Sequence, residues 1–111
     1  MRSSIIICTH NRDESLKQTL QAVCRQESPG ENFEVIVVDN ASTDRTRQVV
    51  EEVRDSLQFP IRYHFEAQLG LSHARNSGVD LAEGEIVIFT DDDVSVAYRI
   101  YLKVVDSLLP P

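Results

Sequence analysis

Apolar and polar positions follow two periods along this chain. Dense runs of β-branched and aliphatic residues, Ser4–Thr9 (SIIICT), Phe33–Asp39 (FEVIVVD), Ile61–Phe65 (IRYHF) and Glu85–Thr90 (EIVIFT), are too short for helices and read as strands. Between them the spacing lengthens. Leu16, Leu20, Val23 and Cys24 fall at i, i+4, i+7 and i+8, which predicts an amphipathic helix over Asp13–Gln26. Val49, Val50, Val53 and Leu57 mark a second helix, with Ser42-Thr43-Asp44 supplying its N-cap chemistry. A third is predicted over Leu71–Ala82, with Leu71, Ala74, Gly78, Leu81 and Ala82 gathered on one face, and a last from about Ala97 to Leu109. Ser28-Pro29-Gly30-Glu31-Asn32 and Pro60 break the first and second helices.

Strands that alternate with helices of this length form βαβ units, hence a parallel sheet with helices on both faces. The fold class is therefore α/β, in one domain spanning residues 1–111, with no internal repeat, low-complexity tract or linker. Ligands of such sheets bind beyond the carboxyl ends of the strands. The residues that follow each strand are thus the ones to inspect.

Composition narrows the choice of ligand. Eleven Lys and Arg against eighteen Asp and Glu give a formal net charge of -7, which argues against nucleic acid or an anionic membrane surface as a partner. It also makes an anionic ligand awkward unless a cation or a local basic group mediates. No apolar run approaches a membrane span or a signal-peptide core, so a cytoplasmic protein is expected. Cys8 and Cys24 are expected to be buried free thiols, with Cys8 pointing into the core.

The strand ends read Thr9-His10-Asn11-Arg12, Asp39-Asn40-Ala41-Ser42, Glu66-Ala67-Gln68 and Asp91-Asp92-Asp93, five carboxylates against one arginine. Adjacent ionised aspartates at about 5 Å and an effective dielectric near 20 repel by roughly 3 kcal/mol per pair. Capping a helix accounts for one of the three. On an extended backbone Asp91 and Asp93 face one way and Asp92 the other. Two carboxylates on one side can share a hard cation such as Mn²⁺ or Mg²⁺, and Asp92 is left to accept from a hydroxyl. Asn40 and Ser42 can satisfy the turn after the second strand, which frees Asp39 to read a ribose hydroxyl or a base N–H. Arg75 sits at the margin of its helix's buried stripe, in the first turn, where it either snorkels to solvent or points at an anion over the edge. His10 and His73 are weak signals, and His64 reads as structural beside Tyr63 and Phe65 on an edge strand. Neither a dinucleotide nor a Walker-type phosphate loop is present.

Taken together, Ser4–Arg12 (SIIICTHNR), Val35–Thr46 (VIVVDNASTDRT), Gly70–Gly78 (GLSHARNSG) and Gly84–Asp93 (GEIVIFTDDD) resemble the donor-binding half of family 2 glycosyltransferases. The resemblance runs from about Ser3 to Asp93, with four motifs in order. It implies a GT-A fold: a three-layer αβα, Rossmann-like, mostly parallel sheet, truncated to about four strands. It also implies an inverting transferase that uses a nucleotide-diphosphate sugar, with UDP the expected carrier and a glycan, lipid or other hydroxyl compound as acceptor. Carried over, the nucleotide-sugar pocket falls on Thr9, Asn11, Arg12, Asp39, Asn40, Ser42, Gly70, Arg75, Asp91 and Asp92. Asp39 takes the base-recognising role, Asp92 lies near the ribose, and Asp91 with Asp93 binds the divalent cation, Mn²⁺ or Mg²⁺.

Two features depart from the family. Val94-Ser95-Val96-Ala97-Tyr98 has no proline after the triplet. The family's catalytic base lies well downstream, so it is expected beyond Pro111, and the chain is expected to be a fragment that is inactive alone. A sheet cut after its fourth strand leaves an edge through which two copies can pair. The competing readings are a stand-alone nucleotide or nucleotide-sugar binding module without transfer activity, and a phospho-receiver. The latter places its acidic pair after the first strand, where this chain has Thr9-His10-Asn11.

Overall fold

The computed structural model describes residues 2–25, 32–58 and 60–93. The last predicted helix, Ala97–Leu109, lies outside the described residues. Within them the order is β1 (Arg2–Thr9), α1 (Asp13–Cys24), β2 (Asn32–Asn40), α2 (Thr46–Leu57), β3 (Ile61–Glu66), α3 (Leu71–Leu81) and β4 (Ile86–Thr90). The four strands form one sheet in the order β3-β2-β1-β4, with every pairing parallel.

The two faces follow from that order. The chain steps from β1 to β2 to β3 in one direction, then returns past β1 to place β4. Parallel crossovers are right-handed, so a reversal of direction puts the next helix on the opposite face. Accordingly α1 and α2 pack together over Ile5, Ile7, Val35 and Val37, while α3 packs on Ile6, Ile36 and Val38. Alternation along β1 and β2 sends successive side chains to these two cores.

α3 comes unusually close to the sheet. A Cβ built on Gly78 would lie 2.6 Å from Cγ2 of Ile6, so only a residue without a side chain fits there. Of the face predicted for this helix, Ala74 and Gly78 are buried, Leu81 and Ala82 are half-buried, and Leu71 is 55% exposed. The first turn of α3 projects past the end of the sheet, and that is why Leu71 escapes burial. Among the described residues β4 is covered unequally: Ile88 is buried, whereas Val87 and Phe89 on its other side are each 38% exposed.

Below the sheet, at the amino ends of the strands, Glu34 is buried in a polar cluster. It accepts from the Ser4 hydroxyl, the Glu83 N–H and the Arg62 guanidinium. Arg62 also donates to the Leu81 carbonyl, and the Gly84 N–H donates to Ser4 Oγ. These bonds pin the α3–β4 turn beneath β1 and leave the opposite edge for chemistry.

Candidate functional site

The reversal between β1 and β4 is the topological switch point of the sheet, where the loops that follow neighbouring strands diverge and leave a crevice. A cleft of about 250 Å³ opens there, lined by Thr9, His10, Asn40, Gly70, Leu71 and Asp92, with Cys8, Leu69 and Ala74 completing it. Four of the sequence-predicted residues, Thr9, Asn40, Gly70 and Asp92, therefore meet in one place.

Asp92 is the most heavily engaged of them. It is buried, and its carboxylate accepts from Thr9 Oγ1 at 3.0 Å and from the Arg12 guanidinium at 3.0 Å. Its main-chain carbonyl accepts from Ser15 Oγ at 2.6 Å and from Thr19 Oγ1 at 2.9 Å. Burial, reinforced by a hydrogen-bonded Asp91 carboxyl, pushes the Asp92 pKa up, against the pull of Thr9 and Arg12. Across the triplet exposure alternates: Asp91 exposed, Asp92 buried, Asp93 half-buried. Burial thus alternates along the triplet, with Asp92 the inward member. The inward one is tied to β1 and α1 and is not idle.

Asn40 joins both walls of the cleft. Its Nδ2 donates to the Glu66 and Gln68 carbonyls, and its Oδ1 accepts the Gly70 N–H. Its own carbonyl accepts from His10 Nδ1 at 2.6 Å. Gly70 precedes α3 with φ 148°, a region closed to residues with a side chain. Glu66 closes the same loop by accepting from Ser77 Oγ and the Gln68 N–H, and these two bonds hold its carboxyl below the usual range.

Asp39 lies elsewhere. Strand alternation turns it to the α2 side, into a second cleft of about 370 Å³ shared with Ser42, Asp44, Arg47, Tyr63 and Phe65. There Oδ2 accepts from the Tyr63 hydroxyl at 2.6 Å and Oδ1 from the Ser42 N–H at 3.1 Å. The expectation that Asn40 and Ser42 would satisfy this turn and free Asp39 is corrected. Asn40 is spent on the β3–α3 loop, and Asp39 itself closes the turn as an Asx acceptor. Burial, followed by the Asp39 hydrogen bond and charge, raises the Tyr63 pKa, and Arg47 stacks over the Tyr63 ring at 5.6 Å.

Asn11 and Ser42 face each other across the β1–α1 and β2–α2 loops. The Asn11 N–H donates to Ser42 Oγ, and Asn11 Oδ1 accepts the Thr43 N–H, with Asn11 itself at φ 50°. Arg75 extends over the Phe89 ring, 5.6 Å from its centroid, which brings its charge beside β4 and within electrostatic reach of Cys8. Cys8 lines the cleft half-buried and does not point into the main core, because even-numbered β1 residues face α3. Burial raises its pKa, and raises that of Cys24 to about 12, so both are protonated thiols near neutrality. Ser15 and Thr19 carried no flag in the sequence reading. The available signal was a pair of hydroxyl residues four apart on the buried stripe of α1.

Among the described residues no three His, Cys, Asp or Glu converge on a point. The donor set that Asp91 and Asp93 can offer is two carboxylates, one exposed and one half-buried. That suits a hard cation which keeps waters and takes its remaining ligands from a phosphate, and does not suit a closed structural metal. No helix among the described residues is long and apolar enough to cross a membrane.

Known proteins share this arrangement. The chain is 43% identical over 93 residues to validoxylamine A glucosyltransferase of Streptomyces hygroscopicus subsp. limoneus, covering 82% of this chain and 20% of that protein. It is 37% identical to the poly(ribitol-phosphate) beta-N-acetylglucosaminyltransferase TarS of Staphylococcus aureus, covering 84% of this chain and 16% of that protein. It therefore spans about a fifth or less of these curated relatives. Among solved structures, mannosyltransferase PcManGT from Pyrobaculum calidifontis in complex with GDP-Man and Mn²⁺ superposes with a TM-score of 0.77 at 33% identity, over 83% of this chain and 27% of that one. S. aureus TarS 1-349 in complex with UDP-GlcNAc gives 0.75 at 29% identity, over 96% and 32%. The family model "Glycosyl transferase family 2" matches residues 4–109. With the parallel sheet, the switch-point cleft and the acidic strand end already in place, the match is decisive: the chain belongs to glycosyl transferase family 2.

Proposed function

We propose that this chain forms the donor-binding half of a divalent-cation-dependent, inverting glycosyltransferase. It takes a sugar from a nucleotide-diphosphate sugar, UDP-linked in the first instance, to an acceptor hydroxyl on a glycan, lipid or other compound. One observation carries the reading: Asp92 is anchored in the lining of the switch-point cleft, with an exposed Asp91 and a half-buried Asp93 on either side of it in the chain. Support comes from solved relatives recorded with UDP-GlcNAc, UDP, and GDP-Man with Mn²⁺.

In this reading Thr9, Asn40 and Gly70 shape the nucleoside end of the cleft. Arg75 faces the diphosphate from α3. Arg12 balances Asp92 so that the floor of the site carries less net negative charge. Asn11 and Ser42 lock the two loops behind it, and Asp39 supports the same lock from the second cleft. Asp91 and Asp93 would hold the cation, Mn²⁺ or Mg²⁺, which would supply positive charge against the diphosphate leaving group. None of the described residues is assigned to deprotonate the acceptor.

Titration calorimetry with UDP, with and without Mn²⁺, tests this. The expected result is an affinity raised about tenfold or more by Mn²⁺ and returned to the metal-free value in the Asp91→Asn/Asp93→Asn double variant. An affinity indifferent to Mn²⁺, or a metal effect that survives the double substitution, rejects the assignment.

A further inference from the structure

We infer that Ser15 and Thr19 are positioning residues of the acidic triplet, a role that rests on the cation reading of Asp91 and Asp93. Both lie on the face of α1 that packs against the sheet, and Thr19 is fully buried. Their hydroxyls converge on a single acceptor, the Asp92 main-chain carbonyl, at 2.6 and 2.9 Å. Thr19 carries one proton and lies 2.9 Å from the Ser15 carbonyl as well. That i−4 contact is the ordinary resting place of a helical threonine hydroxyl. Here the oxygen sits between two carbonyls and shares its proton with the strand end.

The consequence is geometric. Among the described residues, those after the last ladder bond of β4 have no strand partner to set their path, since the β1 pairing ends at Ile7 with Thr90. Thr9 and Arg12 fix the Asp92 side chain, and Ser15 and Thr19 fix its peptide. Four groups from β1 and α1 thus hold both ends of one residue. With Asp92 immobilised, the main-chain path on which Asp91 and Asp93 sit is fixed on both sides of it. Neither hydroxyl lines the cleft, so neither is placed to touch a nucleotide, and both act through Asp92.

The test compares Ser15→Ala, Thr19→Val and Thr19→Ser with the wild-type protein, measuring UDP affinity by calorimetry with and without Mn²⁺. Affinity without metal should stay within about twofold in all three variants. The enhancement by Mn²⁺ should fall about tenfold in Thr19→Val and Ser15→Ala, and be retained in Thr19→Ser, which keeps the hydroxyl. A role in packing alone would lower the unfolding temperature and leave the Mn²⁺ enhancement intact, and that outcome overturns the inference. Equal loss of affinity with and without metal overturns it too. Wild-type protein that ignores Mn²⁺ removes the cation reading and this inference with it, whereas a wild type that responds beside variants that respond equally removes this inference alone.

Discussion

Asp39 and Tyr63 illustrate how a residue's neighbours outrank its motif. The aspartate ends a β-strand in a stretch that reads as a ligand contact, yet its oxygens go to the Ser42 N–H and the Tyr63 phenol. Tyr63→Phe removes the phenol and leaves a buried carboxylate oxygen without its donor. We expect a loss of about 1–3 kcal/mol in urea-induced unfolding, with UDP affinity unchanged. A stability within 0.5 kcal/mol of wild type, as for a generic surface change, would contradict the pairing. The sequence offered no route to this contact, since Asp39 and Tyr63 belong to different strands and meet only through the β2–β3 register. Cys8 packs against the core on the α3 side, and the sequence left open which of the two cores it would meet. Strand alternation fixes that neighbours face opposite ways, but not which face meets which helix.

At the scale of elements, α2 and α3 depend on features that their composition only partly announces. α2 begins at Thr46, and the residue before it makes no side-chain cap. Asp44 does the capping from one position further out, accepting the Thr46 N–H and hydroxyl and the Asp13 N–H. Partial desolvation pushes its carboxyl up, but these bonds together outweigh that and hold it below 3.8. A carboxyl whose folded pKa is depressed contributes stability above its unfolded pKa, and that contribution fades as pH falls through the folded value. Thermal unfolding midpoints of the wild type should therefore drop more steeply below pH 3.8 than those of Asp44→Asn, which has no proton to gain. Parallel acid limbs would show that the bonds do not bias protonation. In α3, Gly78 sets the distance to the sheet. Gly78→Ala gains about 0.5–1 kcal/mol of helix propensity. It also forces a methyl against Ile6, and such overpacking costs about 1–3 kcal/mol. A net loss near 1 kcal/mol follows, seen as a midpoint lowered by about 4–8 °C. A stabilised variant would mean that α3 can slide outward without penalty.

For the whole molecule the governing quantity is charge. A net charge of -7 opposes a diphosphate, and under the proposed function a cation would be the means by which an acidic rim accepts one. UDP and Mn²⁺ added together should accordingly raise the unfolding midpoint by more than the sum of their separate effects. At about a hundred times Kd the stabilisation is about 2.7 kcal/mol, or on the order of 10 °C for a domain of this size. Additive shifts would indicate that the two bind independently. The sequence by itself determined the element order, the parallel α/β sheet and the alternating burial within Asp91-Asp92-Asp93. All of these follow from periodicity and from the two-residue repeat of a strand, which are local properties. Only the tertiary structure decided that Asp39 and Asn40 face different clefts, that Leu71 projects past the sheet and that Ser15 and Thr19 grip the Asp92 peptide. Those facts depend on which face each crossover covers and on contacts between residues as far as 77 positions apart. Such pairings are set by the closing of the sheet around β1, and no window of sequence contains them.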